Sequence, residues 1–174
     1  MLLNKANINQ LLERLNDELA NIDVQGELFL VGGAVMCLVF EARDSSKDLD
    51  SFFKPTRVLR SAAKRIAVLL GHPQDWLNDA VITYLSSKGD FHPYLARSNL
   101  RVSIACPEYL LAMKCLAMRL GEEFHDEEDV RFLLRYLNLE SYPSAIEIIA
   151  RYYPSERLPQ KTLYALREML ENRS

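Results

Sequence analysis

The pattern of apolar and polar positions predicts a mixed α/β arrangement in the first part of the chain. Apolar residues recur every three or four positions in two stretches, which is the spacing of a helix that buries one face. Short apolar runs of strand-like composition lie between and after these stretches. The predicted helices begin near Asn7, cover Ala34–Phe40 and run from Thr56 to about Leu70, and the predicted strands are Glu27–Val31, Lys47–Phe53, Phe91–Leu95 and Leu100–Ala105. Asn7 and Gln10 have the spacing of a capping box for the first helix, and the pattern leaves the type of residues 76–85 open.

After residue 106 the pattern becomes helical. Pro107 suits the first turn of a helix and Gly121 suits its end, and further amphipathic stretches follow. We therefore predict an α/β (α+β) fold with a small mixed sheet. Residues 1–106 would form the α/β core, and residues 107–174 would form a helical region packed on it.

Composition and charge indicate an ordinary globular protein. The chain has 174 residues, of which 49% are hydrophobic and 26% charged, so it can bury a core and is unlike a disordered segment. The formal net charge of −3 does not by itself indicate a nucleic-acid-binding protein. Arg57, Arg60 and Lys64 share one side of a predicted helix, which leaves two interpretations open: a contact with nucleic acid or a triphosphate, and a solvated helix face.

The cysteines, histidines and apolar runs argue against several classes of protein. The three cysteines contain no CxxC pair and the three histidines no HExxH spacing, so we expect neither a disulfide framework nor a zinc site of those types. The N-terminal stretch lacks the apolar core of a signal peptide, and no run approaches the roughly 20 apolar residues of a membrane helix. We predict a cytoplasmic protein with no membrane partner.

Two short motifs carry candidate chemistry. Gly32 and Gly33 follow a predicted strand directly, and a Gly-Gly turn lets backbone N–H groups approach a phosphate without obstruction by side chains. Asp48 and Asp50 lie two positions apart on the next predicted strand, so their carboxylates point to the same side. Such a pair can hold one divalent metal or bridge two, as phosphoryl and nucleotidyl transfer require. From the residues alone, a tight turn beside two solvated aspartates is an equally good interpretation.

The sequence around these motifs resembles the start of the polymerase-beta-type nucleotidyltransferase fold. That family has a GG or GS turn, a helix and then an acidic pair on the neighbouring strand. Nearly the whole chain is similar to a bacterial branch of uncharacterised nucleotidyltransferase-like proteins, and more distantly to the AbiE-type abortive-infection toxins. The segments that carry the resemblance are ELFLVGGAVMCLVFEARDSSKDLDSFF, WLNDAV, NLRVSIACPEYLLAMKCLAMR, EEDVRFLLRYL and ARYYP.

This resemblance implies a substrate, a cofactor and site residues. Gly32 and Gly33 would line the triphosphate of a bound NTP, and Asp48 and Asp50 would bind Mg²⁺ or Mn²⁺. The acceptor would be a hydroxyl group of an RNA, a protein or a small molecule. If that transfer is harmful to the cell, the protein would act as a toxin with an antitoxin-like partner.

A third carboxylate is the part of the family pattern that this chain lacks. In active members it commonly lies on a later core strand and acts on the attacking hydroxyl, but the predicted strand Leu100–Ala105 contains no acid. Asp79 is the candidate that would replace it by position, and as a catalytic residue it would complete the set with Asp48 and Asp50. The alternative is that Asp79 is a helix cap or turn residue.

Lys114 lies within a predicted helix, Pro107–Leu120, that is apolar on almost every side. A buried lysine is costly unless it is paired, so we expect Lys114 to reach a carboxylate or a cleft. The resemblance to the toxins favours a nucleotide-binding role, and a lysine that extends its ammonium to solvent is the alternative. An acidic run follows the helix and comprises Glu122, Glu123, Asp126, Glu127, Glu128 and Asp129. Most of this run is expected to be solvated, but Asp126 and Asp129 are within possible reach of Lys114.

Three hypotheses about function follow. The first is a metal-dependent nucleotidyltransferase. The second is a degenerate member of that fold that binds a nucleotide or a partner without chemistry, which the missing strand carboxylate favours. The third is an interaction module whose helical half binds another subunit.

Overall fold

The sequence forms two units whose segments alternate along the chain. The computed structural model describes residues 1–121 and 124–171. The first unit consists of Met1–Thr83 and Phe91–Ala105, and the second of Tyr84–Asp90 and Cys106–Ser174. The boundary predicted after residue 106 lies beside the observed one at Ala105, whereas the assignment of Tyr84–Asp90 to the second unit has no signal in the sequence pattern. Glu122 and Glu123 of the acidic run lie outside the described residues.

The first unit is a mixed sheet with helices, as the predicted α/β class requires. In chain order its elements are β1 (Leu3–Asn4), α1 (Lys5–Asn21), β2 (Gly26–Leu30), α2 (Gly32–Leu38), β3 (Ser45–Ser46), β4 (Leu49–Lys54), α3 (Thr56–Leu70), β5 (Leu77–Asn78), β6 (Phe91–Ala96) and β7 (Leu100–Ala105), with a 3₁₀ turn at Ala80–Tyr84. The five-stranded sheet has the order β5-β4-β2-β7-β6. Strand β2 is antiparallel to β4 and parallel to β7, and β6 and β7 form the predicted hairpin. A separate two-stranded ladder joins β1 and β3.

The amphipathic helices α1 and α3 contribute the helical part of this unit's core. They pack against each other, and α3 also packs on β4 and β5. Most of the apolar positions predicted to face the core are buried: Leu11, Leu12, Leu15 and Leu19 in α1, and Leu59, Ala62 and Ile66 in α3. The prediction is wrong for Leu69, which lies in the last turn of α3 and is exposed. The single tryptophan, Trp76, is also buried, and its indole N–H donates to the carbonyl oxygen of Ala63 at 2.9 Å.

The start of the first helix differs from the prediction. Helix α1 begins at Lys5, and its N-cap is Asn4, whose side chain accepts a hydrogen bond from the Asn7 backbone N–H at 2.8 Å. The Asn7 side chain accepts in return from the Asn4 backbone N–H at 3.1 Å. The box predicted between Asn7 and Gln10 is therefore wrong by one turn, because Asn7 is the third residue of the helix and the last residue of the box, and not its cap.

The second unit is helical in the part of the chain that the structure describes. Its helices are α4 (Pro107–Leu116), α5 (Asp126–Tyr136), α6 (Tyr142–Ala150) and α7 (Gln160–Glu171), with a 3₁₀ turn at Ser155–Arg157. Helix α4 packs against α5 and α6 and is buried on most sides, as its apolar composition predicts. It ends at Leu116, earlier than predicted, because the Arg119 backbone N–H bonds to an Asp126 carboxylate oxygen at 3.1 Å instead of continuing the helix.

Tyrosines and a serine attach the segment Tyr84–Asp90 to the helices of the second unit. The Ser86 hydroxyl donates to the Tyr152 carbonyl at 2.6 Å, and the Ser86 N–H donates to the Tyr109 hydroxyl at 2.9 Å. The Tyr152 hydroxyl donates to the Asp90 carboxylate at 2.9 Å, and the Tyr153 hydroxyl donates to the Tyr84 carbonyl. Burial and the Asp90 carboxylate raise the pKa of Tyr152, so this hydroxyl stays protonated as a donor.

Membrane insertion receives no support from the helices. Within residues 1–121 and 124–171, every helix lacks the length or the apolar character that a crossing of the bilayer requires.

The buried side chain of Asn16 generates a test of this fold. Its Oδ1 accepts the Asn99 backbone N–H at 2.8 Å, which connects α1 to the turn before β7. We expect Asn16→Ala to lower the free energy of unfolding by about 1–3 kcal/mol, because it leaves a buried donor without a partner. Urea unfolding followed by Trp76 fluorescence measures this change. The control is Asn21→Ala at the exposed end of the same helix, and an equal loss in both variants would contradict the prediction.

Candidate functional site

The pairing of β2 with β4 brings the Gly-Gly turn next to an aspartate. These strands are antiparallel with Leu30 opposite Ser51, so the turn that follows β2 meets the start of β4. The Val31 N–H donates to the Asp50 carbonyl at 3.0 Å and continues the ladder by one bond. Gly32 and Asp50 are therefore neighbours in space, although 18 positions separate them in the sequence.

Gly32 holds a conformation and a space that other residues do not fit. Its φ is +66°, in the left-handed region that favours glycine. A Cβ atom at this position would lie 2.9 Å from Asp50 Oδ2. The Asp50 carboxylate thus rests directly on the turn, at a distance that requires the absence of a side chain there.

Gly33 faces a group that the sequence analysis did not single out. A Cβ atom here would lie 2.8 Å from Nη1 of Arg43 and 3.0 Å from Oγ of Ser46. The carboxylate of Asp50 therefore lies beside the first glycine of the turn, and the guanidinium of Arg43 lies beside the second. Arg43 lies outside both motifs, in a stretch without strand or helix periodicity, so no spacing rule connects it to Gly33.

Asp48 is positioned by the segment before β4. The predicted strand from Lys47 starts two residues later, at Leu49, because the buried Ser46 donates its hydroxyl to the Asp48 carbonyl at 2.9 Å and bends the chain there. Leu49 is fully buried between Asp48 and Asp50, which are both half-buried. This alternation agrees with two carboxylates on the side of the strand opposite to the core.

The donor set suits a metal that arrives with its substrate. Across residues 1–121 and 124–171, no three His, Cys, Asp or Glu side chains gather as a metal-binding group. Mg²⁺ is commonly held by one or two carboxylates together with substrate phosphates and water. Asp48 and Asp50 fit that arrangement, in which phosphate oxygens supply the remaining ligands. They do not fit a permanent metal centre built from protein ligands.

Asp79 has a partner of its own. It follows β5 and forms a salt bridge with Arg60 of α3, with 2.5 Å between Nη2 and Oδ2. Its backbone carbonyl accepts the Ile82 N–H, as in the turn that the alternative interpretation predicts. Asp79 does not complete a three-carboxylate metal site with Asp48 and Asp50. The salt bridge also gives a structural partner to Arg60, one of the three basic residues on this face of the helix. A catalytic role for Asp79 stays a prediction.

Three half-buried phenylalanines share the sheet with Asp50. Phe52 follows Asp50 by two positions on β4, so both side chains lie on one face of the sheet. Phe29 stacks on Phe52 with 5.6 Å between ring centroids and meets Phe91 edge-on at 5.2 Å. Nζ of Lys54 lies 5.2 Å from the Phe52 ring centroid. The side of the sheet that bears the carboxylate therefore also offers aromatic surface.

Lys114 belongs to the second unit and reaches two carboxylates there. Its Nζ lies 2.7 Å from Asp129 Oδ2 and 3.2 Å from Asp126 Oδ1. The exposed fractions of the three side chains are 10%, 2% and 7% respectively. The predicted pairing of Lys114 with this part of the acidic run is confirmed, and a lysine that extends to solvent is excluded. Its predicted nucleotide-binding role stays a prediction.

Asp126 also binds Arg119, which strengthens the cluster. Its Oδ2 accepts from the Arg119 side chain at 3.0 Å and from the Arg119 backbone N–H at 3.1 Å. Burial raises the pKa of Asp126, but the attraction of Lys114 and Arg119 outweighs it, so the pKa lies below its ordinary value. Asp126 therefore stays ionised at neutral pH.

Comparison of the chain with protein-family models, with curated proteins and with solved structures finds no match.

Removal of Lys114 tests the buried cluster. Lys114→Met would leave two buried carboxylates without their shared cation, so we expect the free energy of unfolding to fall by about 3–5 kcal/mol. Urea unfolding followed by circular dichroism measures it. The control is Lys161→Met, which removes an exposed lysine from the same unit and should change stability by less than about 0.5 kcal/mol. Similar losses in the two variants would show that the buried pairs contribute nothing specific.

The lowered pKa of Asp126 generates a pH test. A carboxyl group with a lowered pKa in the folded state contributes stability above its unfolded pKa and loses it as the pH falls through the folded value. We expect thermal stability to decrease as the pH falls below about 4. Asp126→Asn should show a shallower decrease over that interval, whereas Asp17→Asn, at an exposed position of α1, should follow the wild type. A decrease of unchanged slope in Asp126→Asn would refute the assignment.

Proposed function

We propose that the chain is a metal-dependent nucleotidyltransferase that moves a nucleoside monophosphate from an NTP to a hydroxyl group. The observation that carries this proposal is the contact between the acidic strand and the Gly-Gly turn, where Asp50 Oδ2 would lie 2.9 Å from a Cβ atom on Gly32. The carboxylates that would hold the metal and the glycine turn that would contact the phosphates then belong to one site. The resemblance in the sequence supports the same class.

The proposed reaction assigns a task to each group. Asp48 and Asp50 would hold Mg²⁺ or Mn²⁺, which neutralises charge on the phosphates and polarises the α-phosphoryl group. The turn at Gly32 and Gly33 would orient the phosphate chain. The acceptor oxygen forms a bond to the α-phosphorus, the bond from that phosphorus to the bridging oxygen breaks, and pyrophosphate leaves. The hydroxyl proton passes to a carboxylate, and Asp79 can serve only if it leaves its salt bridge with Arg60.

The proposed acceptor is defined by its hydroxyl group and not by one kind of molecule. RNA, protein and small molecules all carry suitable hydroxyl groups. The phenylalanines beside Asp50 favour an acceptor or nucleotide with an aromatic base, because bases stack on such rings. A toxin whose transfer is controlled by an antitoxin-like partner is the cellular role in keeping with the resemblance.

One observation favours a second function, a nucleotide-binding module without chemistry. Strand β7, Leu100–Ala105, carries no acid, and Asp79 is occupied by Arg60. Such a module would retain metal-dependent NTP binding and lack turnover.

The test is transfer of label from α-labelled NTPs. The purified protein is incubated with Mg²⁺, each of the four NTPs, and total cellular RNA and protein. We expect label in one acceptor class, and we expect Asp48→Asn/Asp50→Asn to reduce the rate by at least about 100-fold, since loss of metal ligands should cost no less than loss of their supporting groups. The matched control is Asp17→Asn/Asp75→Asn, which removes two exposed carboxylates from the same unit.

The outcomes separate the two functions. Transfer by the wild type and the control, but not by the Asp48/Asp50 variant, supports the enzyme. Metal-dependent NTP binding without transfer supports the binding module. If the wild type shows neither transfer nor metal-dependent NTP binding, both proposed functions are overturned.

A further inference from the structure

We propose that Arg43 binds the β- and γ-phosphates of the nucleotide, an inference that rests on the proposed function and deepens it. Resemblance and motif assign phosphate contact to Gly32, Gly33 and Lys114. The geometry points to Arg43 as the cation that meets the phosphate chain at the turn.

The guanidinium of Arg43 lies against the Gly-Gly turn. Nη1 and Cζ of Arg43 lie 2.8 Å and 3.6 Å from the place that a Cβ atom on Gly33 would take. The charged end of the side chain, and not its aliphatic stem, is therefore the part that rests on the turn. Arg43 is half-buried, so its planar group is held in place while part of the side chain remains accessible.

Arg43 and Asp48 are held by one anchored segment of the chain. Ser46 follows Arg43 by three positions, is buried, and pairs with Leu3 in the ladder of β1 and β3. The Ser46 hydroxyl approaches the turn beside Arg43 and donates to the Asp48 carbonyl at 2.9 Å. A shift of this segment would therefore displace the guanidinium and the first aspartate together, as is expected of two groups that act on one ligand.

The charge of the proposed ligand also requires a cation at this site. A phosphate chain placed between the turn and two aspartates brings several negative charges to a site that is already acidic. A divalent metal offsets the aspartates, and the remaining phosphate oxygens require a further cation. Arginine is suited to this task, because its five N–H donors form a rigid fork that matches phosphate oxygens. Lys114, the cation that the resemblance favours, belongs to the second unit and forms ion pairs with Asp126 and Asp129 there.

Binding of inorganic tripolyphosphate in the presence of Mg²⁺ tests Arg43 without knowledge of the base or the acceptor. Isothermal titration compares the wild type with Arg43→Gln, Arg43→Lys and the control Arg14→Gln, an exposed arginine of α1. We expect Arg43→Gln to raise the dissociation constant about 10- to 100-fold, the usual effect of losing a charged hydrogen bond. Arg43→Lys should recover part of the loss, and Arg14→Gln should bind like the wild type.

Binding by Arg43→Gln at wild-type strength would overturn the inference, yet the transfer assay with Asp48 and Asp50 would still support the enzyme. If the wild type binds neither tripolyphosphate nor any NTP, the inference fails together with the proposed function. Trp76 fluorescence reports whether each variant retains the fold of the first unit.

Chemical protection of the wild type supplies a test that needs no variant. Phenylglyoxal modifies accessible arginines, and mass spectrometry of the peptides locates the modified positions. We expect Mg²⁺ with tripolyphosphate to protect Arg43 and to leave Arg14 reactive. Equal modification of Arg43 with and without bound tripolyphosphate would refute the assignment even if Arg43→Gln fails to fold.

Discussion

The antiparallel register of β2 and β4 is the constraint on which the candidate site depends. Because Leu30 pairs with Ser51, the ladder between β2 and β4 ends where the Gly-Gly turn begins. This pairing places the Asp50 carboxylate next to Gly32. Successive residues of a strand point to opposite faces, so a slip of one position would send Asp50 into the core and bring Leu49 to the turn. Burial of the apolar residues on β4 opposes that slip. The hydrophobic core therefore determines where the carboxylate lies.

The glycines are the second half of the same constraint. Gly32 combines a left-handed backbone with a neighbouring carboxylate that leaves no room for a Cβ atom, and the guanidinium beside Gly33 leaves no room for a Cβ atom there. The strand that carries Asp50 and the loop that carries Arg43 thus both approach the Gly-Gly turn closely, because its glycines have no side chains. This arrangement places opposite charges on adjacent residues of the backbone, which is suited to a ligand that carries both a metal and phosphates.

Sequence reasoning recovered the elements whose signal is local. The alternation around Leu49, the apolar stripe of α1 and the apolar character of α4 all identify elements that the structure contains. The cap at Asn4 was missed because a capping pattern can be read at more than one register. Arg43 was missed for a different reason: its relation to Gly33 depends on the path of the loop between α2 and β4, and no periodicity encodes that path. The partners of Lys114 were predicted as a possibility because a buried ammonium requires them.

The interleaved chain path has a consequence for synthesis on the ribosome. The central strand β2 cannot gain its parallel neighbour β7 until residue 105 has been made, 75 positions after β2 ends at Leu30. The segment Tyr84–Asp90 is made before β7 but gains its partners Tyr152 and Tyr153 after β7 has been made, because these tyrosines follow the residues that they contact by 62 to 69 positions. A nascent chain interrupted between these points contains every residue of the first unit but lacks part of the second, so the sheet can form before the helices of the second unit are complete.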